Sequence, residues 1–354
     1  MSFWNKLKCP IMALAPMADV TDQAFRRVIA KYGKPDVMWT EFVSADGLFL
    51  GGYEHLIHDL KFTEGERPIV AQFFTSKPEM MRKAAELACD LGFDGIDINM
   101  GCPDKSVEKQ GSGSAHIKDY KHAQQIILAA MEGAKKDGKN LPVSVKTRIG
   151  YNKNELETWI PALLETKPAL ITVHARTRKE MSNVPARWEH VKRAVEIRNE
   201  MKSDTLIFGN GDVKDLDDAM QKVKETGCDG VMLGRAIFGN PWLFANLSHV
   251  RREGQIEHPA EALTKEDRSV SEKLKVLVEH TKLFEELIIP KPPKGPGKSF
   301  AIMKKHFKAY ATGFDGAKEL RMELMETENA TEVKKSCGKL FTKQTLKIRA
   351  LFFL

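Results

Sequence analysis

The chain has 354 residues, 42% hydrophobic and 29% charged, enough apolar material for one large core and a smaller second domain, which excludes a disulfide-stapled miniprotein and a fully disordered chain. Its formal net charge of +7 is unevenly spread: from Lys291 onward 14 Lys or Arg face 6 Asp or Glu, so that segment carries +8 and the preceding 290 residues about −1. A basic module beside a near-neutral body suits a polyanion-binding appendage, and equally a soluble helical surface.

The five cysteines, Cys9, Cys89, Cys102, Cys228 and Cys337, are widely spaced and odd in number, without a paired metal-ligand spacing. A reducing cytoplasmic setting and no bound metal are expected. The N-terminus lacks a long apolar run with a small-residue cleavage site, and no later segment approaches a membrane-spanning length, so secretion and membrane association are disfavoured.

Short apolar runs recur along the chain at Ile11–Ala15, Val37–Trp39, Ile69–Phe74, Gly95–Ile98, Val143–Lys146, Leu170–His174, Leu206–Phe208 and Gly230–Leu233. They are mostly apolar on both alternating faces, as strands of a parallel sheet under a helical cover should be. Amphipathic stretches such as Pro78–Leu91 and Tyr120–Lys136 supply the crossovers. Eight alternating units over about 240 residues predict an α/β fold, a (β/α)8 TIM barrel. An open doubly wound sheet is the competitor, disfavoured because no glycine-rich dinucleotide fingerprint follows the first strand.

Beyond about residue 265 the pattern turns to amphipathic helices, at Ser271–Leu287, Ala301–Tyr310, Lys318–Met325 and Glu328–Ser336. Four prolines and two glycines between Pro290 and Gly297 exclude a helix through that stretch. The expected division is a barrel over 1–250 and a small basic helical domain over 265–354.

Polar residues gather where a parallel barrel exposes its catalytic face. The predicted strand ends read APMADVTD (15–22), AQFF (71–74), NMGCPDKSVEKQGSGSAH (99–116), VKTRIG (145–150), VHARTR (173–178), GNGDV (209–213) and LGRAIFGNPW (233–242). After the last two strands, GNGDV and LGR can aim backbone N–H groups at a phosphate, with Arg235 adding a charged fork. Each cluster alone also suits an ordinary turn.

The segment Asn99-Met-Gly-Cys102-Pro resembles the active-site segment of the tRNA-dihydrouridine synthases. The motifs APM at 15–17, VKTRIG, VHARTR, GNGDV and LGR follow in that family's order, over residues 10–245 and, more weakly, through MKKHFKAY at 303–310. The resemblance implies an FMN-binding barrel with an added helical RNA-binding domain, which reduces the C5–C6 bond of specific tRNA uridines. It implies flavin contacts from Pro16, Met17, Ala18, Gln72, Lys146 and His174, and phosphate contacts from Asn210, Gly211, Asp212, Gly234 and Arg235. Asp212 is expected to act through its backbone, since a carboxylate aimed at a phosphate would repel it. Cys102 is implied as proton donor, Asn99 and Arg148 as substrate or active-site organisers, and NADPH as reductant. The sequence departs from the family at Asp19, where a small residue is usual, at Ser114 and His116, and in the 177–188 loop, which lacks the usual tyrosine.

A uracil C5–C6 bond is polarised by the conjugated C4 carbonyl, so hydride delivery to C6 calls for an acid at C5. A thiol with an ordinary pKa of roughly 8.5 is mostly protonated at neutral pH, which suits Cys102 to that role. A buried structural cysteine is the plainer reading, and the expected one for the other four. Lys146 can stabilise an anionic reduced flavin and His174 can bond the same edge or the uracil, or both can anchor strand ends. Arg148 and Arg176 can bind RNA phosphate or orient a carboxylate.

A uridine in folded tRNA must be turned out to reach a barrel mouth. Lys294, Lys298, Lys304, Lys305, His306 and Lys308 can then hold phosphates while the barrel reads one base, with half of the helical lysines equally suited to an ordinary solvent-facing role above Met303 and Phe307. Tyr310 can stack on RNA or complete the helical core. One mouth and one basic module need no obligate protein partner. The competing functions are a flavin barrel acting on a free pyrimidine and a barrel that binds RNA without catalysis.

Overall fold

The structure, a computed structural model, describes residues 2–247, 269–289 and 298–340. These form two compact units, Met1–Thr21 with Pro35–Ala236, and Asp22–Lys34 with the chain from Ile237 onward. The expected connection between 250 and 265, and the proline-rich stretch with Lys294, lie outside the described residues.

The first unit is built on eight strands: β1 (Ile11–Leu14), β2 (Met38–Ser44), β3 (Ile69–Phe74), β4 (Gly95–Met100), β5 (Val143–Arg148), β6 (Leu170–His174), β7 (Leu206–Asn210) and β8 (Gly230–Leu233). Every neighbouring pair from β2 through β8 and on to β1 is parallel, in sequence order. A parallel bridge between Ala13 and Val37 closes the ring. The α/β barrel expected from the apolar runs is therefore the fold. Strands β3 and β4 are buried along their whole length, which is why they read as continuous apolar segments rather than alternating ones.

The strands are covered by helices α2 (Pro78–Leu91), α3 (Tyr120–Gly133), α4 (Leu156–Leu164), α5 (Glu189–Glu200) and α6 (Leu216–Thr226). Helix α2 starts on a proline at its first position and ends on Gly92 at φ +79°, the usual start and stop signals. Helix α3 ends three residues earlier than the expected Lys136. Asp137 and Gly138 both take positive φ there, and this Asp-Gly turn folds Lys135–Lys136 back onto Lys139–Asn140 as a two-residue hairpin.

At the N-terminal end of the strands, Trp4 from the short helix Phe3–Lys6 is 6% exposed and packs edge-on to Phe208, ring centroids 5.8 Å apart. It joins Ile11, Ala13, Trp39, Val70, Leu170 and Met232 in one apolar cluster. That cluster floors the barrel, so polar chemistry is confined to the opposite end.

The second unit contains α1 (Gln23–Tyr32), α7 (Val270–Leu287), α8 (Lys304–Tyr310), α9 (Ala317–Met325) and a last helix over 330–340. Asp22 caps α1 by accepting from the Phe25 N–H. Ser269 and Glu272 form a reciprocal capping box on α7. Ala24 and Val28 of α1 share a core with Leu277, Phe284, Met303, Phe307 and Leu324, so the first helix after β1 belongs to this unit. The expected helix from Ala301 begins instead as a single 3-10 turn, Phe300–Met303, before α8. No helix among the described residues is long and apolar enough to cross a membrane.

Candidate active site

A cavity of about 300 Å3 opens at the C-terminal ends of the strands. Of the residues singled out in the barrel, Pro16, Met17, Gln72, Asn99, Cys102, Lys146, Arg148, His174, Arg176, Asn210, Gly211, Asp212, Gly234 and Arg235 all line it. Ala18 does not; it is exposed beyond the rim. The convergence follows from strand periodicity, since Gln72, Asn99, Lys146, His174 and Asn210 each sit at or near the end of a strand and face the barrel axis.

The loop after β4 is held by its own amide. Asn99 Oδ1 accepts from the N–H groups of Gly101 at 3.1 Å and Cys102 at 2.9 Å. Asn99 Nδ2 donates to Gln72 Oε1 at 3.1 Å, and Gln72 Nε2 donates to Asp97 Oδ2 at 2.6 Å. Ser114 fixes the other side, since its N–H and hydroxyl both donate to the Cys102 carbonyl, at 3.0 and 2.8 Å. Gly113 makes that approach possible: it sits at φ +61°, and a Cβ there would fall 2.7 Å from the same carbonyl oxygen. Burial pushes the Cys102 thiol above its ordinary value, only partly offset by the Asp104 N–H and the charges of Arg148 and Lys146. The thiol is thus protonated at neutral pH.

Lys146 Nζ donates to Asn210 Oδ1 at 3.2 Å, and burial with the neighbouring Arg148 charge pulls its pKa down to about 8. His174 lies well below its usual value, first from burial and then from Lys146, Arg148, Arg176 and Arg235 around it. Its ring is neutral; Nε2 accepts from Arg176 Nη1 at 3.2 Å, which leaves the proton on Nδ1 as a hydrogen-bond donor.

Arg148 and Arg176 are spent mainly on the walls. Arg148 donates to the carbonyls of Gly101 (2.7 Å), Thr177 (3.1 Å) and Met181 (3.0 Å). Arg176 donates to the Val184 carbonyl at 2.6 Å and to the Asp212 carboxylate. Arg235 also pairs with Asp212, whose carboxylate accepts the Ala186 N–H as well. Two arginines thus neutralise Asp212 and turn its carboxylate sideways. Gly211 and Asp212 take φ +128° and +53°, and no hydrogen bond within the described residues occupies the N–H groups of Gly211, Asp212 or Gly234. Unpartnered N–H groups beside a guanidinium form a cradle that fits a phosphate.

The departure at Asp19 has a conformational basis. It stands at φ +54°, a left-handed position that favours glycine and that aspartate tolerates better than most residues. Its N–H donates to Glu41.

Phe42, Asp97 and Ser182 were missed by sequence reasoning. Phe42 and Ser182 line the cavity, and Asp97 lies directly beneath it in the polar chain described above. The spacing of Asp97 two residues before Asn99 on one strand was the available signal. Phe42 was hidden because β2 runs to Ser44 rather than stopping at Trp39.

In the helical unit, Lys305 and Lys308 are exposed and Lys304 half-buried. His306 does not join them. It is fully buried against the rings of Phe25, Phe238 and His280, because one helix turn cannot present four consecutive positions to the same side. It therefore cannot hold a phosphate. Tyr310, 1% exposed, belongs to the core and is closed to RNA.

The sequence was compared with known proteins. The model of a family described as dihydrouridine synthase (Dus) matches residues 13–346. The probable tRNA-dihydrouridine synthase 2 of Bacillus subtilis (strain 168) is 38% identical over 335 residues, covering 94% of each chain. Probable tRNA-dihydrouridine synthases of Staphylococcus epidermidis (strain ATCC 35984) and Staphylococcus aureus (strain COL) are each 37% identical over 335 residues with the same coverage.

Proposed function

Because the chain belongs to the dihydrouridine synthase family, we propose that it is a tRNA-dihydrouridine synthase that reduces the C5–C6 bond of uridine, using FMN recharged by NADPH. The observation that carries this reading is the meeting, in one cavity, of a protonated thiol on a fixed loop, a buried lysine and a phosphate-sized N–H cradle. The residues present fit FMN. Gly211, Asp212, Gly234 and Arg235 would hold its phosphate, and Pro16, Met17, Gln72, Lys146 and His174 its ring. When bound, that group supplies the hydride that reaches C6 of the uracil.

The remaining steps belong to the chain's own residues. Cys102 delivers the proton to C5, and its raised pKa keeps it in the acid form until the base arrives. The resulting thiolate lies near Arg148 and Lys146, whose charges stabilise it. Asn99 and Gln72 keep the loop in place, and neutral His174 contributes a hydrogen bond to the polar edge of flavin or uracil. With the barrel floored by Trp4, NADPH and the turned-out base share a single entrance and take turns.

The division of labour is part of the proposal: residues 1–250 carry the chemistry, while the basic helical module over 265–354 binds tRNA phosphates through Lys304, Lys305 and Lys308. Purified protein incubated with NADPH and unmodified tRNA should form dihydrouridine, mapped by mass spectrometry. Bound FMN with no tRNA-dependent NADPH oxidation would instead indicate a small-molecule substrate, and absence of both would indicate a non-catalytic RNA-binding barrel.

A further inference from the structure

Asp97 lies on β4 inside the barrel, fully buried. Its Oδ2 accepts from Gln72 Nε2 at 2.6 Å, and its Oδ1 from Ser144 Oγ at 2.5 Å. Burial raises its pKa to about 6, so at neutral pH it is ionised; an ionised carboxylate can only accept, so Gln72 must turn its NH2 toward Asp97 and its carbonyl away. That carbonyl is what Asn99 Nδ2 meets at 3.1 Å. Asn99 is then obliged to turn its own carbonyl toward the N–H groups of Gly101 and Cys102. Reversing Gln72 would set a carbonyl against a carboxylate, and reversing Asn99 would set an NH2 against two N–H donors. Each link thus excludes the flipped form of the next, and the direction of the whole chain is set at both ends, by the Asp97 carboxylate at one and by the Gly101 and Cys102 N–H groups at the other.

We propose that Asp97 is a positioning residue for the thiol: acting through Gln72 and Asn99, it fixes the hydrogen-bond polarity that holds the Cys102 loop in its acid-presenting position. This rests on the reading of Cys102 as the proton donor. Asp97 is not itself a lining residue and does not touch the thiol; it reaches the Cys102 loop through the two amides. An asparagine of the same shape in its place can donate or accept, and so dictates nothing to Gln72. The charge that faces Asp97 is Lys146 on β5; its other polar neighbours, Gln72 on β3, Ser144 on β5 and the Trp39 indole on β2, are neutral.

The test compares full-length wild type, Asp97→Asn and Asn99→Ala, each purified with its flavin. The first readout, independent of turnover, is the rate at which iodoacetamide alkylates Cys102, followed by peptide mass spectrometry. Loss of the loop's hydrogen bonds should raise that rate about fivefold in both variants. The second is the split between half-reactions: dihydrouridine formation on tRNA should fall about tenfold or more in kcat, a larger loss than in the reduction of bound flavin by NADPH. Wild-type alkylation in Asp97→Asn beside faster alkylation in Asn99→Ala would overturn the relay, as would equal losses in both half-reactions. If Asp97→Asn does not accumulate as a flavoprotein, Asn99→Ala alone decides, and unchanged alkylation there overturns the proposal. A wild type that binds flavin but forms no dihydrouridine counts against the proposed function, while the alkylation comparison still judges the relay.

Discussion

Arg148 Nε donates to the Gly101 carbonyl at 2.7 Å, tying the end of β5 to the residue that precedes Cys102. The same guanidinium reaches the Thr177 and Met181 carbonyls, so one side chain clamps two catalytic-face loops together. Lysine cannot reproduce that fork. Arg148→Lys should retain flavin, lose about 2 kcal/mol of stability from the orphaned carbonyls, and lower kcat on tRNA about tenfold or more through loop displacement. Thermal melts of the flavin-loaded protein and single-turnover assays check the two effects separately.

Cys102→Ala should bind flavin normally and be reduced normally by NADPH, while uridine reduction falls about a hundredfold or more, as expected for removal of a general acid. Because burial raises the thiol above its ordinary value of roughly 8.5, the wild-type rate should hold through neutral pH and decline only in the alkaline range. Rapid mixing of reduced enzyme with tRNA at several pH values measures both. Near-normal turnover in the alanine variant would remove Cys102 from this role.

The helical unit should be acid-labile. His280 and His306 stand edge to face with ring centroids 4.6 Å apart, and none of their four ring nitrogens has a hydrogen-bond partner among the described residues. Burial pushes His306 down to about 3 and His280 well below its usual value. Folded pKa values below the unfolded value of roughly 6.5 mean that the unfolded chain binds more protons. The stabilisation is therefore complete above that pH and is lost as pH falls, by at most about 1.4 kcal/mol per histidine per pH unit. The melting temperature should drop between pH 7 and pH 5, and less steeply in His306→Phe, whose ring keeps the contact with Phe25.

Charge reversal of Lys304, Lys305 and Lys308 to glutamate should weaken tRNA binding and reduce the slope of log affinity against log salt by about 2 to 3. Flavin reduction by NADPH should be unchanged, since every residue proposed to hold the flavin lies in the barrel unit. Filter binding over a salt series tests the first and stopped-flow absorbance the second. Unchanged affinity would mean that tRNA phosphates lie on another surface.

The barrel was legible because a parallel strand buried on both faces leaves an uninterrupted apolar run, and all eight runs mark strands. Ends were less legible: β2, β4, β5 and β7 run two or more residues past the ends of the expected runs, because polar residues such as Thr40, Asn99, Arg148 and Asn210 interrupt the apolar signal inside the strand. Lining positions could be read from their polar residues at strand ends. Their partners could not, because the meeting of Arg176 with Asp212, or of Asp97 with Gln72, depends on register across strands far apart in sequence. His306 was misread for a related reason: a basic run shows composition, whereas helical phase decides which member turns inward.

The ring of strands is not uniform. Seven of its joints are ladders, one of them, β2–β3, with a register shift between Trp39 and Phe42, but β1 meets the chain before β2 through one bridge, with Leu14 N donating to Val37 O at 3.2 Å and Asp36 N to Met12 O at 2.9 Å. The Asp36 carboxylate adds a bond to the Met12 N–H at 2.7 Å. This is the seam at which the cylinder yields first, so amide exchange should begin there rather than among β3, β4 and β5. Since β1 runs directly into Pro16 and Met17, opening at the seam should be felt at that lip of the cavity before it reaches Cys102, which follows β4 and its two laddered neighbours.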